Sequence, residues 1–204
     1  MNTATRSTGR TLWVAIRAMA VFTLLLGIGY TALVTGVGQL ALPAQANGSL
    51  QRGADGQVVG SALLGQGFLD AAGDPLPQYF QSRPSAAGDG WDAASSSGSN
   101  LGPENEDLID AIGTRKAQIA AFDGVPEDRI PADAVTASGS GLDPDISPAY
   151  AEIQVARVAR ARGLTAAEVQ SLVAAHTTGR DLGYLGEPTV NVLQLNLALD
   201  ELKG

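Results

Sequence analysis

Ten consecutive residues, Thr136-Ala137-Ser138-Gly139-Ser140-Gly141-Leu142-Asp143-Pro144-Asp145, bring three hydroxyls, two glycines and two carboxylates together just ahead of a helix start. Three kinds of chemistry suit such a stretch. A hydroxyl can act as a nucleophile if a base lies near, and the N–H groups of a glycine-rich loop can cradle an anion or pack against another chain. Two carboxylates offer oxygen ligands to a cation, although two are too few for a dedicated calcium site. The nucleophile reading is weak in its motif, because neither Ser138 nor Ser140 has the leading glycine of a G-x-S-x-G elbow. Its only imidazole base would be His176, the sole histidine, which reads more simply as a structural or surface residue. No G-K-[ST] sequence is present, so there is no P-loop. The plainest reading of the stretch is a tight turn held by Ser and Asx capping bonds. No catalytic residue and no metal ligand set is assigned.

The elements that must carry this loop are arranged by charge. The 204 residues hold 13 Lys and Arg against 21 Asp and Glu, a formal net charge of −8, with no cysteine. An acidic chain of this kind lacks the basic patch of a general nucleic-acid binder. Without cysteine there is no disulfide framework, thiolate catalysis or Cys-based zinc site. Every acid lies at or after Asp55, and residues 18–51 carry no charge at all. Residues 18–38 are rich in Leu, Val, Ile and Ala; as a helix they extend about 31 Å, the thickness of a hydrocarbon core.

This predicts a transmembrane helix over 18–38, a cytoplasmic N-terminal tail over 1–17 with Trp13 at the interface, and a single extracytoplasmic domain over 39–204. Arg6, Arg10 and Arg17 precede the span and no basic cluster follows it, which places the N-terminus inside. From residue 53 onward, 9 basic residues face 21 acidic ones, a net −12. The competing reading is a signal peptide cleaved after Ala44-Gln45-Ala46, but the apolar run is longer than the usual h-region. Within the span, Gly27, Thr31 and Thr35 repeat every four residues, as do Ala32 and Gly36, a small-residue face suited to a partner helix.

The exported part reads as α+β. Residues 57–69 suggest a pair of strands, and 82–103 a long Gly-, Ser- and Pro-rich loop with Trp91 and Leu101 as its large apolar anchors. Such a loop is either a flexible insertion or a segment ordered by a neighbouring protein. Residues 103–122 predict a helix with Leu108, Ile112, Ile119 and Phe122 along one face. A second helix starts at Ser147-Pro148 and ends before Gly163, with Ile153, Val155 and Val158 inward and Arg157, Arg160 and Arg162 solvated. A third opens on the capping box Thr165-x-x-Glu168 and buries Val169, Leu172 and Val173. Residues 190–203 fit a helix with Val192, Leu195, Leu199 and Leu202 as its apolar stripe.

These segments also carry a family resemblance. TALVTGVGQLALPAQANGSL (31–50), GSALLGQGF (60–68), YFQSRPSA (79–86), GSNLGPENEDL (98–108), VTASGSGLDPDISPAYAEIQVARVARARG (135–163) and VNVLQLNLALDEL (190–202) follow in order. Together they resemble the C subunit of the Kdp-type potassium-transporting P-type ATPase of bacteria. The resemblance implies a non-catalytic subunit of the plasma-membrane pump, assembled with a potassium-carrying channel-like subunit, an ATP-hydrolysing P-type subunit and a small single-span subunit. ATP and potassium then belong to the complex, and no cofactor is assigned to this chain. The phosphorylation signature Asp-Lys-Thr-Gly-Thr of P-type pumps is absent here.

The family is further described as a catalytic chaperone that raises ATP affinity, which would give Ser138, Gly139, Ser140, Gly141, Leu142 and Gln154 a nucleotide-related role by resemblance alone. The charge asymmetry opposes direct contact, since it puts these residues outside the cell while the pump uses cytoplasmic ATP. The acidic domain also raises the expectation that carboxylates such as Asp143 and Asp145 steer potassium toward the outer mouth. Two other classes stay open on residue types: an exported serine hydrolase and a membrane-anchored substrate-binding module.

Overall fold

The computed structural model describes residues 3–202. The chain divides into two packed units, Met1–Ser49 and Leu50–Gly204. In the first unit, helix α1 (Thr3–Phe22), a π-helical stretch (Thr23–Tyr30) and helix α2 (Thr31–Ala41) follow without a break. Thr8–Ala41, 34 residues, is long and apolar enough to cross a membrane, and none of it is buried. The expected span of 18–38 lies inside it. The π-helical stretch moves backbone bonding to the fifth residue back, and the Thr31 hydroxyl joins the pattern by donating to Leu26 O at 3.4 Å. Leu42 leaves the helical region at φ −136°, as a residue before proline tends to, and the short helix α3 (Pro43–Ala46) follows.

The second unit mixes helices with two small sheets, as the α+β reading expected. Strands β1 (Leu50–Arg52) and β2 (Val58–Ser61) form an antiparallel hairpin. The sequence placed both strands within 57–69; instead the partner of β2 lies before the Asp55-Gly56 turn, and Gly56 supplies the positive φ (78°) of that turn. Helices α4 (Glu106–Asp123), α5 (Ala132–Val135), α6 (Pro148–Arg162), α7 (Ala166–Ala175) and α8 (Val192–Glu201) interleave with β3 (Asp145–Ile146), β4 (Thr177–Thr178) and β5 (Thr189–Asn191). The last three strands pair antiparallel in the order β3-β5-β4.

Local signals set the helix ends. The side chains of Asn105, Ser147 and Asn191 accept the first free N–H groups of α4, α6 and α8. Gly124 and Gly163, both left-handed, close α4 and α6. Thr165 and Glu168 form the predicted capping box. Helix α6 runs through the core, with Ile153, Val155 and Val158 buried beside Val169, Val192, Leu195 and Leu199. Leu202 lies outside this stripe and is exposed.

One expectation for α6 is overturned. Arg157 and Arg162 are buried, 4% and 7% exposed, while Arg160 alone of the three faces solvent. They are buried because residues 77–82, a strap that turns at Pro77-Gln78 and then carries Phe80 and Ser82 into the core, pack against α6 and α8 without joining a strand. Arg157 Nη1 donates to Pro77 O (2.7 Å) and Tyr79 O (2.9 Å), and Arg162 Nε to Gln78 O (2.7 Å). Asn196 of α8 brackets Phe80 like a strand neighbour, accepting from its N–H (2.9 Å) and donating to its carbonyl (3.0 Å). Gln154 does the same for Gln81, at 2.7 and 3.2 Å. The carbonyls of residues 77 to 81 therefore each have a side-chain donor, and Phe80 sits fully buried among the helices.

Two ion pairs finish the arrangement. Asp123 pairs with Arg157 at 2.7 Å, and Asp200 with Arg162 at 2.8 Å. The Arg157 guanidinium also lies 4.3 Å from the centre of the Phe122 ring.

Candidate functional site

The serine-glycine stretch lies between α5 and α6, and its form follows from close backbone approach. Gly141 has φ 67°, and a Cβ there would stand 2.6 Å from Ser97 O and 2.7 Å from Ala87 N. The two main chains thus touch where only glycine fits. Ser85 organises the contact: its hydroxyl donates to Gly141 O at 2.6 Å and accepts from the N–H groups of Ala87 (3.1 Å) and Trp91 (2.8 Å). Ser97 N–H and the Ser96 hydroxyl both donate to Ser140 O, at 2.9 and 3.0 Å. On the other side Gly65 N–H donates to Leu142 O at 2.8 Å.

The long loop 82–103 is therefore anchored by this chain's own serine-glycine stretch. That differs from both readings offered for it, a flexible insertion and a segment ordered by another protein. Trp91 is the anchor expected, packed against Gly67, whereas Leu101 is 38% exposed.

The predicted site residues take different places. Ser138, Gly141 and Leu142 are buried; Gly139 and Ser140 are exposed. The two serine hydroxyls lie 3.4 Å apart, and Ser140 Oγ accepts from Leu142 N–H at 3.1 Å, the capping bond of a tight turn. Gln154 is fully buried, and its amide is committed to Gln81 and to Arg157 Nη2 (2.7 Å). Ser138, Gly139, Ser140, Gly141 and Leu142 thus form one loop, while Gln154 belongs to the strap. No hydrogen bond joins Gln154 to that loop among the described residues.

His176 ends α7, with Nδ1 2.9 Å from Leu172 O. No hydrogen bond links it to Ser138 or Ser140 among the described residues. Asp143 pairs with Arg83 at 2.8 Å, and Asp145 accepts from Asn191 Nδ2 at 3.1 Å. Burial pushes the Asp145 carboxyl above its ordinary value, against the lowering effect of its Asn191 and Thr189 bonds. Among the described residues no three of His, Cys, Asp and Glu come together in a way that would hold a metal ion. In the first unit, Gly27 falls in the π-helical stretch and Thr31, Ala32, Thr35 and Gly36 in α2, so helical geometry changes within the small-residue face.

Sequence reasoning missed Asp123, Arg157, Arg162 and Asn196 as a group. The available signal was three arginines on a helix whose other face is apolar, in a domain otherwise strongly acidic.

Comparison with known proteins follows this geometry. The family model for the K+-transporting ATPase, c chain, matches residues 12–201. The potassium-transporting ATPase KdpC subunit of Gemmatimonas aurantiaca is 59% identical, over 92% of this chain and 91% of its own length. That of Caulobacter vibrioides is 56% identical, covering 91% of this chain and 90% of its own. That of Mycobacterium tuberculosis is 52% identical, covering 95% and 99%.

Proposed function

We propose, from the premise that the chain belongs to the K+-transporting ATPase c-chain (KdpC) family and is thus a potassium-pump subunit, that it is the accessory subunit which assembles and modulates the pump without catalysing hydrolysis itself. The observation that carries this reading is the family match across residues 12–201, which takes in both the apolar helix and the second unit. The apolar helix acts as a single-pass anchor, N-terminus in the cytoplasm, with the acidic domain outside the plasma membrane. Its small residues, Gly27, Thr31, Ala32, Thr35 and Gly36, meet a helix of the channel-like, potassium-carrying subunit. The P-type ATP-hydrolysing subunit and the small single-span subunit complete the assembly.

Any effect on ATP affinity travels through subunit packing rather than through nucleotide held by this chain. Two observations favour that route. Gln154 has its amide spent inside the core, and the loop around Ser138 is closed by Ser85, Ser96 and Ser97. The test is to purify the tagged chain in mild detergent from potassium-starved cells that express the whole system. A potassium-stimulated ATPase should copurify, and recovery of the chain alone would sink the reading. In the purified complex, Ser140→Ala should leave the KM for ATP unchanged; a severalfold rise would restore direct nucleotide contact.

A further inference from the structure

The two most exposed large apolar side chains described in the second unit stand together on one turn. Leu182 is 81% exposed and Tyr184 69%, and Leu185 beside them is half-buried. Single exposed leucines need no explanation, but a clustered apolar tip with a charged rim marks an interaction site.

The chain holds this tip out at a conformational cost. Tyr184 N–H donates to Asp181 O at 3.2 Å, and the turn it closes has Leu182 at φ 52° and Gly183 at φ 82°. Two positive φ values in succession are what a type I′ turn requires, and its first central position favours Asn, Asp or Gly. A leucine there is strained. Below the turn, Asp181 and Leu185 exchange both main-chain bonds at 2.9 Å, and Arg180 pairs with Glu187. Strands β4 and β5 continue the ladder down to the fully buried Val190. The tip is therefore set in place before any partner arrives, which lowers the ordering cost of binding.

Charge selects the occupant. Insertion into a lipid surface is helped by Lys and Arg around the apolar residues. Here Arg180 is taken by Glu187, and Asp181 makes no ion pair among the described residues. From residue 53 onward, 9 basic residues face 21 acidic ones, so anionic headgroups would repel this rim. A tyrosine and a leucine on a rigid turn suit a protein pocket instead, and a pump subunit has partner subunits to meet. On the reading of this chain as an assembling subunit, we propose that the Asp181–Leu185 turn docks on another subunit of the pump. Leu182 and Tyr184 enter an apolar pocket there, and a basic side chain of the pocket's rim faces Asp181.

The test is a competition in potassium-starved cells that express the whole system. Parent and variant chains carry different tags and are together in excess over the other subunits. Their ratio in the purified potassium-stimulated ATPase is divided by their ratio in total membranes, which corrects for folding and insertion. Leu182→Asn suits the turn better, so the free chain should melt no lower than the parent, yet it should enter the complex about tenfold less. Tyr184→Ser should lose a similar factor, and Asp181→Lys about fivefold. Equal incorporation of Leu182→Asn and parent would overturn the docking site, and equal incorporation of Asp181→Lys would overturn its basic rim. If no ATPase copurifies even with the parent, the subunit reading falls and this docking site with it. Tyr184→Trp separates protein from lipid, with the full chain alone in vesicles of phosphatidylcholine and phosphatidylglycerol. After subtraction of the parent's emission, brominated and unbrominated lipids should give equal fluorescence. Quenching of the added indole by brominated lipid would put the tip in the membrane and overturn the assignment to a protein.

Discussion

The second unit contains two segments that belong to no helix or strand, and they are held in opposite ways. The strap 77–82 brings Phe80 and Ser82 into the core, and long side chains of α6 and α8 satisfy its carbonyls. The loop 85–98 meets residues 138–142 through one main-chain bond, two bonds from serine hydroxyls and a close main-chain approach at Gly141. Both solve the requirement that backbone polar groups find partners. In the strap each side chain is a partner, so its loss orphans a buried group. In the loop the acceptors are peptide carbonyls that no substitution removes, so an intruding Cβ or a lost serine is what matters.

The largest expected effect falls on the strap. Arg157→Met deletes the partner of a carboxylate that is 3% exposed and takes a donor from the carbonyls of Pro77 and Tyr79. Breaking a buried ion pair from one side costs about 3–5 kcal/mol. Chemical unfolding of the detergent-solubilised chain, followed by circular dichroism, should show that loss, and a cost below about 1 kcal/mol would mean that the guanidinium does not hold the strap.

Asn196→Leu comes next. It removes both bonds to Phe80 at one stroke, for a loss of about 2 kcal/mol by the same measurement.

The loop predicts a sharper internal contrast between two adjacent glycine sites. Gly141→Ala forces a left-handed alanine against Ser97 O and Ala87 N, a strain of about 1–3 kcal/mol. Gly139→Ala has nothing within 4 Å of its new Cβ and should stay within about 0.5 kcal/mol of the parent. If the two variants are equally stable, the close approach of the two main chains is not a constraint, and the loop is held like any exposed turn.

The same contrast explains what the sequence made legible. Helix starts at Ser147 and Thr165 and the stop at Gly163 depend on residues within one turn, so their signals survive in a short window. The long apolar helix was equally plain, because residues 18–51 carry no charge and include a run long enough to cross a membrane. The tight turn at Ser138 and Ser140 was also readable from its own residues. The burial of Arg157 and Arg162 was not, since their acceptors lie about eighty positions earlier in the chain, in a segment with neither helical nor strand periodicity. The second strand of the hairpin was missed for a smaller reason. Leu50 and Gln51 sit in the uncharged stretch after the span and look like its continuation.

The capping box supplies the smallest effect and the purest local case, in which both partners lie three residues apart. The Thr165 hydroxyl and N–H donate to the Glu168 carboxylate at 2.7 and 2.8 Å, and these bonds hold its pKa below the ordinary glutamate value. A carboxyl depressed in the folded state adds stability above its unfolded pKa, about 4.3, and loses it as pH falls through the folded value. Asp123 runs the other way: burial raises its carboxyl despite Arg157, so its contribution declines as pH rises through the window above the ordinary aspartate value. Glu168→Gln leaves Asp123 untouched, and subtracting the two unfolding curves cancels it. Glutamine can still accept through its amide oxygen, so only the part due to charge disappears. The difference between parent and variant should therefore be small and constant from pH 6 to 8, then shrink toward zero below the unfolded glutamate pKa. A difference that is flat down to pH 3 would mean that the box works through neutral hydrogen bonds alone, and the local case would then resemble the loop rather than the strap.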